Sequence, residues 1–264
     1  YFSPIFAWKK PTGNLIALNK ISFMISSSPR NIYLCKFYLD LWLSSYGSKR
    51  IRKFGHRPYV EIYWRLSDVL NNKRTFSNNF NDIYEINHSN QTDQYKLTLV
   101  NQSNIFNITL INQTSYHKKW FYMIRENLKT APPDVEWFVI ADDDTLPFLD
   151  RLIETLSNYK DPLKNIYFIH SPGERKSGTH LGNGGGGFFL SRKTAEILNP
   201  HLDGCNRFIR RRIYNGDCRF DRCFRINTKK MPVFDYGMFH MDSKCLEGDI
   251  TGFVENYIDR FGLK

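Results

Sequence analysis

Residues 136–145 have the sequence Glu-Trp-Phe-Val-Ile-Ala-Asp-Asp-Asp-Thr, which is the strongest indication of the fold class in the chain. The uninterrupted apolar run from Trp137 to Ala141 predicts a buried strand. Asp142, Asp143 and Asp144 follow directly, so they lie at the carboxyl end of that strand. Because open α/β sheets bind ligands at the carboxyl ends of their strands, we expect a ligand site there.

The segments on either side alternate between strand-like and helix-like patterns. Short apolar runs predict strands at 20–25, 59–64 and 165–170, and periodic apolar residues predict helices at 31–46, 116–128, 149–159 and 191–198. This alternation predicts an α/β fold with a central sheet, and no repeat or domain linker interrupts it. Residues 71–115 are rich in Asn, Ser and Thr and indicate only loop and weak strand.

The composition is that of one large globular domain with an excess of basic residues. Of the 264 residues, 41% are hydrophobic, which is enough to bury a substantial core. The formal net charge of +11 indicates attraction to anions, and nucleic acid, an anionic membrane and a nucleotide diphosphate all satisfy that requirement. The basic residues occur in short scattered groups, such as 49–53 and 210–212, without a recognisable nucleic-acid motif. We therefore expect no nucleic-acid partner.

Two features bear on the cellular compartment. No apolar run reaches the roughly 18 residues of a membrane span, and the chain opens on Tyr1, so we expect any signal or anchor to lie upstream. Five Asn-x-Ser/Thr sequons are clustered in one Asn-rich stretch, at Asn87, Asn90, Asn101, Asn107 and Asn112. The cluster favours passage through the secretory pathway, although a segment of this composition also produces sequons by chance.

Cysteine usage also favours an oxidising compartment. The chain contains Cys35, Cys205, Cys218, Cys223 and Cys245. Four of the five lie in the last 60 residues, which is typical of one or two disulfides in that region, and the odd count leaves at least one thiol. A zinc site is disfavoured because no close Cys-x-x-Cys pair is present.

The three adjacent aspartates repel one another unless a cation or a set of hydrogen-bond donors neutralises them. Hard divalent cations suit such carboxylates, particularly where the cation also bridges to phosphate oxygens. The alternative is a solvated acidic turn in which Asp144 caps the helix that follows. The Asp-x-Asp pattern alone does not decide between a metal site and an acidic turn.

A glycine-rich segment, Gly-Asn-Gly-Gly-Gly-Gly-Phe-Phe-Leu-Ser, occupies residues 182–191. It lacks both the Lys-Ser/Thr ending of a P-loop and the spacing of a dinucleotide fingerprint, so we expect a glycine wall beside a substrate. The alternative is a flexible linker, but the apolar run from Phe188 to Leu190 indicates a packed segment. Farther along lie Asp217 and His240, and taken alone each is more often structural than functional.

In their order along the chain, these segments resemble the family-31 glycosyltransferases, especially their fringe-like branch. The matching pieces are the strand with 142–145, the loop 184–191, Cys205, the segment 217–223, and 239–242 leading to 248–253. The resemblance is close over about 135–255, and it extends to the front half only in outline, through 21–28, 30–31 and Trp42. Two positions depart from the pattern: Cys218 stands where relatives often carry a second acidic residue, and Lys36 stands where an arginine is common.

The resemblance implies a GT-A fold, in which a Rossmann-like mixed central sheet flanked by helices forms one α/β domain. On this basis residues 1–19 are a stem remnant and 20–264 are the catalytic domain. The nucleotide-sugar-binding half would be 20–145 and the acceptor-binding half 146–264. The resemblance, with closeness in sequence, also favours a disulfide between Cys205 and Cys223, and Cys218 with Cys245 is a second suggestion.

The resemblance further implies a manganese site, a donor site and a general base. Asp144 and His240 are the implied ligands of Mn²⁺. The residues implied to bind the nucleotide-sugar are Ser26, Arg30, Asp142, Asp143, Gly185 and Gly186. Asp217 matches the family's general base, which accepts the proton of the acceptor hydroxyl as that hydroxyl attacks the anomeric carbon.

Together these roles predict an inverting UDP-sugar-dependent hexosyltransferase with Mn²⁺ as cofactor. It would move a hexose or N-acetylhexosamine to a hydroxyl of an extracellular glycan or glycoprotein, in β-1,3 linkage. The expected location is the Golgi or secretory lumen, as a type II membrane protein whose N-terminal anchor is missing from this chain. The alternatives are a catalytically inactive lectin-like or scaffold protein, and a metal-dependent hydrolase, for which a second cluster of metal ligands is lacking.

Overall fold

The computed structural model describes residues 14–28, 58–65, 67–68, 84–88, 95–99, 107–111, 119–143, 145–147, 149–170, 187–208, 216–234 and 239–240. The strands are β1 Ile21–Ser27, β2 Tyr59–Arg65, β3 Tyr84–His88, β4 Tyr95–Leu99, β5 Asn107–Ile111, β6 Trp137–Asp142, β7 Leu146–Pro147, β8 Phe168–His170, β9 Phe188–Ser191, β10 Val233–Phe234 and β11 Phe239–His240. The helices are α1 Lys119–Thr130, α2 Leu149–Leu156, α3 Arg192–Leu198, α4 Leu202–Phe208 and α5 Gly216–Thr228.

Most of the strands belong to one mixed sheet, in the order β10-β8-β9-β6-β1-β2-β5-β4-β3. The central strands β6, β1, β2 and β5 run parallel to one another. Antiparallel pairing joins β9 to β6 and β8 on one side, and β4 to β5 and β3 on the other. The predicted α/β fold, with a mixed central sheet and flanking helices in a single domain, is therefore confirmed.

The centre of the sheet is buried on both faces. Every residue of 21–26 in β1 and of 137–141 in β6 is buried. Successive side chains of a strand point to opposite faces, so a strand covered on both sides needs apolar residues at almost every position. This requirement explains why β6 appears in the sequence as a continuous apolar run.

Helices α1, α3 and α5 pack against one another and share a core with one face of the sheet. Aromatic rings dominate the contact between α5 and the sheet. Phe220 stacks on Phe188 of β9 with ring centroids 5.4 Å apart, and one turn later Phe224 lies 4.9 Å from Phe168 of β8. These contacts set the direction in which α5 crosses the sheet.

A disulfide joins α4 to α5. The Sγ atoms of Cys205 and Cys223 are 2.06 Å apart, so the first suggested pairing is confirmed. Cys218 is buried one turn before Cys223. Cys245 lies outside the described residues, so the second suggested pairing of Cys218 with Cys245 stays a prediction. Because Cys223 and Cys218 are five positions apart on one helix, they face different directions, and only Cys223 reaches α4.

The strands predicted at 20–25 and 59–64 are confirmed as β1 and β2, and the helix predicted at 31–46 lies outside the described residues. The described parts of 71–115 are the strands β3, β4 and β5, and these parts are more regular than their composition indicates. The pairing of β5 with β2 stabilises the strands in this segment. Because this pairing joins residues more than 40 positions apart, local composition does not indicate it.

The described residues before β1, 14–20, contact the rest of the fold. Leu18 is buried, and the Ile16 amide donates a hydrogen bond of 2.9 Å to the Ser157 hydroxyl just after α2. Within the described part of the chain, no helix has the length and apolar character needed to cross a bilayer. The division into a stem at 1–19 and two halves of a catalytic domain stays a prediction.

Candidate active site

The aspartates lie where β6 ends beside β1. In the parallel register Asp142 is paired with Ser26, and the Asp143 amide donates a 3.0 Å hydrogen bond to the Ser26 carbonyl. The Ser27 hydroxyl donates to Asp143 Oδ2 at 2.8 Å. The carboxyl ends of β1 and β6 thus bring Ser26 and Ser27 next to Asp142 and Asp143, at the edge of the sheet that the sequence predicts for a ligand site.

Thr145 stabilises the turn that follows β6. Its amide donates to the Asp142 carbonyl at 3.0 Å, and its hydroxyl accepts a hydrogen bond from the Asp142 amide at 3.2 Å. Thr145 is fully buried, so these two bonds are shielded from water. They tie Thr145 to the end of β6, and Asp144 lies outside the described residues.

Lys119, the first residue of α1, is the principal addition that the structure makes to the predicted site. Its Nζ lies 2.5 Å from Asp142 Oδ1, and the side chains of Lys119 and Asp142 are only 5% and 14% exposed. The ammonium also lies 5.4 Å from the centroid of the Trp120 ring, within cation–π distance. Nothing in the local sequence indicates this contact, because the two residues are brought together only when α1 packs on the sheet.

His240 approaches the acidic turn through a second, two-stranded sheet. In the antiparallel pair of β7 and β11, His240 is paired with Leu146 and Phe239 with Pro147. Directly paired residues of antiparallel strands have Cα atoms about 4.5–5.5 Å apart. The backbone of His240 therefore lies beside Leu146, two positions after Asp144.

Asp217 is the second residue of α5. Phe224 contacts β8 at Phe168, and Phe220 contacts Phe188, which is paired with Ile140 near the end of β6. Followed backwards from Phe224 to Phe220, α5 therefore runs toward the carboxyl edge of β6. Its first turn, with Asp217, continues in that direction.

The remaining predicted site residues are not described by the structure. Arg30, Gly185 and Gly186 lie outside the described residues, as does Asp144. The glycine-rich segment enters the described structure at Gly187, which has a φ of 80° and leads directly into β9. Phe188, Phe189 and Leu190 are fully buried, as expected for a packed segment.

A buried carboxylate on β2 accepts hydrogen bonds from α1. Glu61 of β2 is 2% exposed and accepts hydrogen bonds from the Asn127 amide at 2.9 Å, the Thr130 hydroxyl at 2.9 Å and the Tyr63 hydroxyl at 2.8 Å. The Thr109 hydroxyl of β5 is a further donor. Burial raises the pKa of Tyr63 well above its usual value, and the neighbouring Glu61 carboxylate raises it further. This cluster fixes the second half of α1 to β2 and β5.

Among the described side chains, no three His, Cys, Asp or Glu residues form a group that could hold a metal ion. The described surroundings nevertheless fit a divalent cation. A carboxylate-rich turn ends β6, and an imidazole-bearing strand pairs with the chain just beyond that turn. Carboxylate oxygen and imidazole nitrogen are both ligands that Mn²⁺ accepts.

Comparison with known proteins identifies one family. A family model described as "Fringe-like" matches residues 69–247. No curated protein sequence matches the chain.

Two solved structures are similar in outline only. A glycosyltransferase involved in the glycosylation of the major capsid of PBCV-1 has 13% identity and a TM-score of 0.43, with 81% of each chain covered. The 4-diphosphocytidyl-2C-methyl-D-erythritol synthase from Anaerococcus prevotii DSM 20548 has 11% identity and a TM-score of 0.47, with 90% of this chain and 98% of that chain covered. The strand order and register given above define the fold.

Proposed function

The chain belongs to the Fringe-like family of glycosyltransferases, and from that premise we propose that it is an inverting, Mn²⁺-dependent UDP-sugar transferase. The main support for the proposal is that β1, β6 and the β7–β11 pair lie together at the edge of the sheet where β6 ends. Ser26 and Ser27, the first two aspartates, and the backbone of His240 come from distant parts of the sequence and converge there. Hydroxyl, carboxylate and imidazole groups can together bind a nucleotide-sugar and a divalent cation.

Asp144 and His240 would hold the cation. The pairing of His240 with Leu146, two positions after Asp144 in the sequence, supports this assignment. The bound cation would stabilise the negative charge that develops on the UDP leaving group. Asp142 and Asp143 would orient the donor, with directions set by Lys119 and Ser27. Ser26 at the end of β1, together with Arg30, Gly185 and Gly186, would complete the donor site.

Asp217 would act as the general base. It would take the proton from the acceptor hydroxyl while that oxygen attacks the anomeric carbon from the side opposite UDP. The bond to UDP breaks as the new glycosidic bond forms, and this single displacement inverts the anomeric configuration. A positioned general base contributes about 10²–10⁴-fold in rate. An aspartate in the first turn of a helix also interacts favourably with the helix dipole, so a purely structural role is the competing account.

Membership of the family indicates a location in the secretory pathway, and the cluster of sequons agrees with it. Residence in the Golgi as a type II membrane protein, an acceptor that is an extracellular glycan or glycoprotein, and a β-1,3 linkage are parts of the proposal. The formal charge of +11 supports binding of an anionic nucleotide-sugar.

Replacement of Asp217 by Asn tests the general base directly. We expect Asp217→Asn to bind Mn²⁺ and UDP as the wild type does, and to lose about 10²–10⁴-fold in kcat. Calorimetric titration with UDP and a UDP-release assay with an acceptor panel measure the two properties. Asp203→Asn, in the first turn of α4, is a matched control, because its carboxylate is 58% exposed and paired with Arg125. Full turnover in Asp217→Asn would refute the base assignment, and no UDP release by the wild type with any acceptor would favour the inactive alternative.

A further inference from the structure

Lys119 has an unusual location for a lysine. It is 4% exposed, and it is the first residue of α1, where the partial positive charge of the helix dipole disfavours a cation. Burial of an ammonium group is costly unless a partner compensates the charge. Among the described residues, Asp142, one of the three adjacent aspartates, forms an ion pair with it.

The position of Lys119 is fixed from the other end of its helix. Asn127 accepts a hydrogen bond from the Ser22 hydroxyl at 2.7 Å and donates one to Glu61 at 2.9 Å. These bonds hold α1 against β1 and β2, so α1 has little freedom to move Lys119 away from the acidic turn. The Lys119–Asp142 pair is therefore part of the rigid frame of the site.

We propose that Lys119 is a positioning residue that serves as a built-in counter-charge for the acidic triplet. This inference rests on the proposed function and deepens it. By binding Asp142, Lys119 keeps that carboxylate directed toward the donor and away from the cation. Its positive charge also makes the electrostatic potential at the cation site less negative. The protein thereby binds free Mn²⁺ less tightly than three adjacent carboxylates would, and the donor's phosphates supply the remaining attraction.

Charge removal at the two partners should have opposite effects on the affinity for free Mn²⁺. Lys119→Met removes a positive charge and releases Asp142, so we expect binding on the order of tenfold tighter. Asp142→Asn removes a negative charge and retains the ammonium, so we expect binding on the order of tenfold weaker. The double variant removes both charges, so its affinity should lie near that of the wild type. Simple structural damage would weaken binding in every variant.

Lys20→Met is the matched control. Lys20 Nζ also lies 2.8 Å from an aspartate, Asp134, but this pair is at the start of β1, and its side chains are 30% and 54% exposed. A surface pair of this kind contributes little and lies at the opposite end of β1 from the acidic turn. We expect Lys20→Met to leave the affinity for Mn²⁺ unchanged.

The experiment is a titration with Mn²⁺ alone, without nucleotide, followed by electron paramagnetic resonance of the unbound ion, on the wild type and these four variants. Tighter binding by Lys119→Met with weaker binding by Asp142→Asn supports the inference. Equal or weaker binding by folded Lys119→Met overturns it, and if that variant does not fold, unchanged or tighter binding by Asp142→Asn overturns it. A wild type that binds no Mn²⁺ with or without UDP would instead refute the proposed function.

Discussion

The hydrogen bond from Ser27 to Asp143 joins the ends of two neighbouring strands. If Asp143 orients the donor, loss of this bond should affect donor binding more than the chemical step. We expect Ser27→Ala to raise the KM for the donor about three- to tenfold, consistent with about 1 kcal/mol for one hydrogen bond, and to change kcat little. Steady-state kinetics with varied donor measures both constants. Ser157→Ala is the control, because Ser157 bonds to the Ile16 amide, which precedes β1, whereas the acidic turn lies beside the other end of β1. A KM unchanged by Ser27→Ala would show that Asp143 needs no support from Ser27.

The hydrogen-bonded cluster around Glu61 predicts that substitution of Glu61 lowers the free energy of unfolding. Glu61→Gln keeps the shape of the side chain but replaces one acceptor oxygen with a donor, so at least one of the hydroxyl or amide donors around it loses its partner. We expect a decrease of about 1–3 kcal/mol in the free energy of unfolding, measured by urea denaturation. Glu196→Gln should change it by about 0.5 kcal/mol or less, because Glu196 is 47% exposed and lies 4.0 Å from Arg192. Equal stabilities for the two variants would show that the buried cluster contributes nothing.

At the scale of the elements, the sequons differ in their position in the sheet. Asn87 lies in β3, the outermost described strand on its side, whereas Asn107 begins β5, which is paired with β2 and β4. The sequon at Asn107 continues into buried Ile108 and into Thr109, whose hydroxyl bonds to Glu61. An N-linked glycan fits an outer strand better than one enclosed by two strands and covered by α1.

We therefore expect Asn87 to carry a glycan and Asn107 to carry none when the chain is expressed in a secretory host. Peptide mapping after enzymatic deglycosylation in heavy-oxygen water identifies the occupied sites. Asn87→Gln should lower the mass of the folded glycoprotein, and Asn107→Gln should leave its glycan mass unchanged. A folded, fully occupied Asn107 would contradict the sheet position of β5.

Some elements of the candidate site could be predicted from the sequence, and others could not. The β6 strand and the acidic turn after it were predictable because an apolar run followed by aspartates is a local signal. The pairing of His240 with Leu146 was not, since it joins positions almost a hundred residues apart through two short strands. The Lys119–Asp142 contact was equally hidden, because it depends on how α1 packs on the sheet. The resemblance of the ordered motifs suggested the proposed role of His240, and the contact made by Lys119 was found only in the structure.

In the complete fold, polar and charged groups from both halves of the chain lie together at one edge of the main sheet. β1 and β6 contribute hydroxyl and carboxylate groups, α1 contributes an ammonium group, and the β7–β11 pair brings the chain around His240 beside them. The acidic turn belongs to a protein whose formal net charge is +11. Such a charge would attract the proposed anionic nucleotide-sugar, and the proposed cation would offset the repulsion between its phosphates and the aspartates.

The binding of UDP with and without Mn²⁺, compared between the wild type and His240→Ala by calorimetric titration, tests this arrangement most directly. We predict that Mn²⁺ strengthens UDP binding to the wild type at least tenfold, which corresponds to about 1.4 kcal/mol, and that His240→Ala loses most of this gain while remaining folded. The same Mn²⁺-dependent gain in both proteins would contradict a cation held between the acidic turn and β11.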